Sequence, residues 1–192
     1  NLYMSDGLGQ KFSLSLKYVP KTDKDFFDFT KVSGMEGVYV ANHYKEELFE
    51  RGLSSSGDRV KDIYKQKLTK ITFDRGGVWT TIPAPEKDSA GRKIPCEDET
   101  CTLNLNVAAL TDIGHLYSSK NALGLLLSTG NVGYHLTTKT ADVNTYVSRD
   151  AGKTWTEMSK GSSIYESGDH GSFIVFGSDQ ISSNQIYFSV DE

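Results

Sequence analysis

Two aspartates, Asp74 and Asp150, and two cysteines, Cys96 and Cys101, are the residues here whose type and setting suggest chemistry. Paired carboxylates can act as general acid and base in a hydrolase when both stand near one bond, roughly 5–10 Å apart. The setting of these two argues against that use. Thr72-Phe73-Asp74-Arg75-Gly76-Gly77-Val78-Trp79 and Ser148-Arg149-Asp150-Ala151-Gly152-Lys153-Thr154-Trp155 share the spacing S/T-x-D-x-G-x-x-W, 76 residues apart. An aspartate followed two residues later by glycine is turn chemistry: the carboxylate accepts backbone N–H groups and the glycine takes the φ > 0 position. A tryptophan three residues further on is carried into the core by the returning strand. Thr72, Asp74, Gly76 and Trp79, with Ser148, Asp150, Gly152 and Trp155, therefore read as structural corners of two hairpins. Equivalent corners of a repeated unit would hold the two acids apart.

The phrase echoes elsewhere. Tyr187-Phe188-Ser189-Val190-Asp191-Glu192 carries the same lead-in, its acid 41 residues after Asp150. That spacing is close to the ~40–50 residues of a four-stranded propeller blade. Tyr3-Met4-Ser5-Asp6-Gly7-Leu8-Gly9 with Phe12 is a degenerate copy. A chain that stops inside a repeated motif is expected to be an excerpt of a longer protein.

The remaining chemical candidates are weaker. Cys96 and Cys101 enclose four residues in Cys-Glu-Asp-Glu-Thr-Cys. They could close a small disulfide ring, form half of a zinc site or act as a redox pair. Zinc lacks a matching second pair, and redox pairs usually have C-x-x-C spacing, so the disulfide is the expectation, with an oxidising compartment. His43, His115, His135 and His170 show no i, i+4 metal spacing. His170, within Gly168-Asp169-His170-Gly171, reads as a turn histidine and, more sharply, as a candidate pH-sensing residue. Gly130-Asn131-Val132-Gly133 is not a phosphate loop, since no Lys-Ser/Thr follows, and it reads as the end of a strand. No cofactor is called for.

The elements that must position these corners are strands. Glycine is frequent at 18, tyrosine and phenylalanine number 10 and 9, and methionine is scarce at 3, which suits many short strands joined by tight turns. Net charge is −4 with no long run of either sign, so nucleic-acid binding is not expected. No stretch of 18 or more apolar residues and no signal peptide is present. Alternation places half-buried strands at Lys11–Tyr18 and around each corner, and a buried strand at Leu123–Ser128. Leu103–Val107 alternates as an exposed strand would, and Tyr44–Gln66 is a charged surface excursion. Grouped by fours, the strands give an all-β fold, a run of antiparallel four-stranded propeller blades: a blade end at 1–19, blades at 29–83 and 102–159, and a partial blade at 162–192.

With the blades laid out, the sequence resembles the Vps10 domain of sortilin-type sorting receptors. The resemblance rests on the two corner phrases, the Cys96/Cys101 loop, Ser128-Thr129-Gly130-Asn131-Val132-Gly133 and Ile164-Tyr165-Glu166-Ser167-Gly168-Asp169-His170-Gly171. It implies a ten-bladed propeller, of which this chain supplies about three blades. It also implies a type I membrane receptor, anchored outside this segment, whose ring binds peptide or proprotein cargo in the Golgi lumen. Cytosolic adaptors would be met through a tail, and cargo would pass to endosomes, lysosomes or a vacuole. No ligand-binding residue is carried over, because the peptide-carboxylate site of the animal branch lies in a blade before Asn1. The charged stretch at Tyr44–Gln66 is longer than in the animal members. The resemblance implies a receptor and not an enzyme. The other reading is a secreted sialidase-like propeller, whose site needs three converging arginines. Arg51, Arg59, Arg75, Arg92 and Arg149 offer no such triad, and Arg75 and Arg149 belong to the corners themselves.

Overall fold

The computed structural model describes residues 1–21, 27–46, 66–108, 115–137 and 139–190. Most of the charged stretch at Tyr44–Gln66 and the acid of the final echo, Asp191, lie outside the described residues. The described chain is all-β and antiparallel, with two short 3₁₀ turns at Thr140–Asp142 and Asp169–Gly171.

Four sheets follow one another along the chain. The first pairs β1 (Leu2–Ser5) with β2 (Phe12–Leu16). The second is a meander of β3 (Phe29–Lys31), β4 (Tyr39–Tyr44), β5 (Lys67–Thr72) and β6 (Thr80–Thr81). The third runs β7 (Thr102–Leu105), β9 (Ala122–Gly133), β10 (Asn144–Ser148) and β11 (Thr156–Lys160), with the short β8 (Tyr117–Ser119) paired to the start of β9. The fourth orders β12 (Ser163–Gly168), β13 (Phe173–Ser178) and β14 (Tyr187–Val190).

Each inner sheet is buried on both faces, which the period-two alternation of its strands accomplishes. In β4, Val40 joins the core shared with the third sheet while its neighbour Ala41 packs with Leu16 of the first and with Val19, just beyond β2. In β9, Leu126 faces the second sheet, with Ile71 and Trp155, while Leu125 and Leu127 meet Ile174 of the fourth. The sheets are therefore packed in series, face on face.

One sequence expectation changes. β7 is not an exposed strand: Leu103, Asn104 and Leu105 are all fully buried. Asn104 misled the alternation rule, because it is consumed in a buried polar lattice. Asn42 donates to Asp28 (3.0 Å) and to the Leu105 carbonyl (3.1 Å), Thr69 Oγ1 donates to Asn42 (2.6 Å), and the Leu105 N–H donates to Thr69 Oγ1 (2.7 Å). Asn104 accepts the Thr69 N–H at 3.2 Å, and Lys67 reaches Asp28 at 3.0 Å. Buried polar groups are tolerable when each finds a partner, and this lattice ties the second sheet to the third. β9 runs to Gly133, so Gly130-Asn131-Val132-Gly133 ends a strand as expected. A Cβ on Gly130 would lie 2.1 Å from the Asn104 carbonyl oxygen, so glycine is required for the backbone of β7 to approach.

His43 on β4 is buried, and that burial, with Lys70 nearby, pushes its imidazole down to about 4 from an ordinary 6.5. The folded chain then binds a proton less readily than the unfolded chain between those values, so stability falls as the pH drops below 6.5. Urea unfolding should lose on the order of 2 kcal/mol between about pH 7 and pH 4.5 through this group. His43→Phe should remove that part of the acid slope; an unchanged slope would mean that His43 does not supply it.

Candidate functional site

Each corner phrase spans the turn between the third and fourth strands of its sheet, β5 to β6 and β10 to β11. The bonds match position by position. Thr72 Oγ1 donates to Asp74 Oδ1 at 2.7 Å, and Ser148 Oγ to Asp150 Oδ1 at 2.8 Å. Those same hydroxyl oxygens accept the N–H of Gly76 (3.0 Å) and of Gly152 (2.9 Å). The carboxylates accept the N–H four residues on, from Val78 and from Thr154, each at 2.9 Å to Oδ1. Arg75 and Ala151 adopt φ of 65° and 63°, and Gly76 and Gly152 follow at 91° and 94°.

The carboxylates are occupied by their own turns. At Asp74 the Val78 N–H, the Thr72 hydroxyl and the Gly77 N–H hold the carboxyl below the usual range. At Asp150 partial desolvation opposes ionisation, but the Thr154 N–H and hydroxyl and the Ser148 hydroxyl outweigh it, and the group is again held low. Neither carboxyl is a proton donor near neutral pH. Asp74 sits on the corner that meets the first sheet and Asp150 on the corner that meets the second, so each belongs to a different joint between sheets.

What each corner touches is the preceding sheet. A Cβ on Gly76 would fall 2.6 Å from Ser15 Oγ on β2, and one on Gly152 would fall 2.6 Å from Ile71 Cδ1 on β5. Trp79 packs with Leu16 and Val19, and Trp155 packs into the core containing Ile71 and Val40. The indole N–H of Trp155 donates directly to the Gly152 carbonyl at 3.0 Å. At the first corner Ser15 is interposed: Trp79 Nε1 donates to Ser15 Oγ (3.0 Å), which donates to the Gly76 carbonyl (2.6 Å).

Sequence reading missed a second half of the motif. The Arg75 N–H donates to the Gly37 carbonyl and the Ala151 N–H to the Gly124 carbonyl, both at 2.9 Å. Gly37 and Gly124 both have positive φ, 82° and 80°, and both open apolar runs, Val38-Tyr39-Val40 and Leu125-Leu126-Leu127. That shared glycine was the available signal. The degenerate copy keeps part of the geometry, since Asp6 accepts the Gln10 N–H four residues on at 2.8 Å. Asp88 forms another such turn with the Arg92 N–H at 2.9 Å, and the Arg92 backbone and side chain help hold it at about 2.

Cys96 and Cys101 are joined as a disulfide. His170 adopts φ 58° in the 3₁₀ turn, is exposed, and places Nδ1 3.7 Å from Asp169 Oδ1. Among the described residues no group of three or more His, Cys, Asp or Glu is placed to hold a metal, and no helix is long and apolar enough to cross a membrane.

Gly152→Ala should destabilise the fold by about 1–3 kcal/mol, because the methyl meets Ile71 and an L side chain is strained at that φ. Asp150→Asn should act in the same direction above about pH 4. Because the folded carboxyl is depressed, its contribution is present above the unfolded value and fades as pH falls through the folded one. Thermal and urea unfolding of both variants checks this; a Gly152→Ala protein as stable as wild type would remove the close contact from the account.

The Sortilin-Vps10 family model, described as sortilin, neurotensin receptor 3, matches residues 1–192. Among curated relatives, a vacuolar protein sorting/targeting protein 10 of Talaromyces marneffei is 36% identical over 197 residues, covering 100% of this chain and 12% of its own length. That of Aspergillus clavatus is 33% identical over 201 residues, covering 100% of this chain and 13% of its own length. A protein of Saccharomyces cerevisiae named as an uncharacterized membrane glycoprotein is 34% identical over 195 residues, with 100% and 17% covered. The chain thus spans 12–17% of the length of these relatives. With the family model matched from end to end, this chain belongs to the Sortilin-Vps10 family.

Proposed function

We propose that this chain is a β-propeller segment in the luminal region of a type I membrane sorting receptor. The receptor binds peptide or proprotein cargo in the Golgi and directs it to endosomes, lysosomes or a vacuole. The observation that carries the reading is the family match over all 192 residues, shared with relatives named for vacuolar protein sorting and targeting. The packing supports the propeller: the second and third sheets have the same antiparallel order, and a corner joins the third and fourth strands of each. In this reading the blades are 29–83 and 102–159, flanked by a blade end at 1–19 and a partial blade at 162–192.

Cargo recognition in this reading is backbone pairing of an extended peptide with first-strand edges, supplemented by side-chain pockets. β7 is a poor edge for it, because the Leu103 and Leu105 N–H groups already donate to the Ile82 carbonyl and Thr69 Oγ1. Pairing is therefore assigned to β3 and β12. The sialidase-like alternative is disfavoured by the arginines: Arg75 pairs with Glu36, Arg92 with Asp88, and Arg149 donates to the Gly171 carbonyl. His170, exposed on the turn between β12 and β13, remains the proposed proton-sensitive residue.

The test is capture of a cargo propeptide by the purified luminal region containing this chain. Binding is expected at neutral pH with release on mild acidification; no binding at neutral pH sinks the receptor reading. His170→Gln is expected to shift the release to lower pH. Unchanged release would remove His170 as the switch while leaving cargo binding intact.

A further inference from the structure

β12 is the edge strand of the fourth sheet, paired with β13 alone among the described strands. Its register fixes which main-chain groups face the open edge. The Asp179 N–H donates to the Ser162 carbonyl at 3.3 Å, which extends the register Ser163↔Ser178 by one pair. Residues of an antiparallel strand alternate between bonding the neighbour and facing away from it. Ile164, Glu166 and Gly168 therefore bond β13, while Ser163, Tyr165 and Ser167 turn their N–H and C=O groups to the open edge.

One of those three N–H groups is already held by a side chain. The Ser167 N–H donates to Glu166 Oε1 at 3.2 Å. The same oxygen accepts the hydroxyl of Tyr117, on β8 of the third sheet, at 2.5 Å, and Tyr117 Oη lies 3.0 Å from Ser167 Oγ. Tyr117 meets Tyr165 edge-on, with ring centroids 6.4 Å apart, so packing between the sheets positions the hydroxyl. Alternation puts the Glu166 stem on the same face as exposed Ile164, opposite Tyr165, which packs toward the third sheet. To reach Tyr117 the carboxylate folds round the open edge, across the place a neighbouring strand would occupy.

We propose that Glu166 is a clasp on the pairing edge of β12. Its carboxylate stands where a main-chain carbonyl of a bound extended peptide would accept the Ser167 N–H, and the peptide displaces it on pairing. The clasp leaves Ser163 and Tyr165 open and closes the end of the edge beside the 3₁₀ turn. An edge without such a device pairs readily with any extended chain. The inference rests on the edge-pairing reading of cargo recognition and adds the residue that limits it.

The probe is a fluorescent, capped and uncharged peptide of three Thr-Val repeats, titrated into the luminal region containing this chain. A copy N-methylated at alternate residues lacks the donors that strand pairing needs. Glu166→Ala is expected to tighten probe binding about three- to tenfold, because the freed N–H gains a peptide hydrogen bond. Tyr117→Phe keeps the ring contact, loosens the carboxylate and should tighten binding less. Adding Ser167→Pro to Glu166→Ala removes the N–H itself, at an edge position that proline tolerates, and should return the affinity to that of wild type. Damage to packing would weaken binding, so a gain that proline cancels is specific to the clasp. The proposal is overturned if Glu166→Ala binds within twofold of wild type or more weakly, or if the double variant keeps the gain. Equal binding by wild type and Glu166→Ala, lost with the N-methylated copy, removes the clasp and leaves edge pairing standing. If no variant binds the probe, or the N-methylated copy binds as well, edge pairing falls and the clasp falls with it.

Discussion

The architecture depends on one local constraint: a carboxylate ringed by the N–H groups and hydroxyl of its own turn. That ring holds two successive residues at positive φ, the second a glycine, and the bare Cα of that glycine lets the neighbouring sheet come into contact. The tryptophan three residues later then fills the space between the sheets. A local hydrogen-bond pattern is thereby converted into an inter-sheet joint. The conversion occurs twice with the same bonds, and the interposed Ser15 shows how the joint adjusts when the facing strand differs.

The joint alone does not fix how one sheet sits on the next. Between the second and third sheets, Asp28, Asn42, Thr69 and Asn104 add a buried lattice in which each group has a partner. Apolar side chains fill space without dictating register, whereas a misregistered lattice would strand several polar groups at once. The lattice also consumes the outer edge of β7, which bears directly on where a peptide could pair.

Much of this was legible in the sequence, for a physical reason. Corner residues advertise themselves because aspartate, glycine and tryptophan at fixed offsets have few other uses, so both turns and the strands flanking them were placed correctly. The inter-sheet lattice was not legible. Asn104 and Asn106 look solvent-facing in a strand read alone, and only the approach of Thr69 and Asn42, more than thirty residues earlier, makes Asn104 a core residue. Gly37 and Gly124 were overlooked because a single glycine before an apolar run is common; their meaning lies in the carbonyls they offer to Arg75 and Ala151.

The most direct test of the joint is a double-mutant cycle across it, Ser15→Ala on β2 with Trp79→Phe on the corner, followed by urea unfolding. If the corner binds the first sheet to the second, the two changes should couple by about 0.5 kcal/mol or more, because each breaks the same relay. Strict additivity, within about 0.3 kcal/mol, would show that the corner stabilises only its own hairpin and would contradict the account.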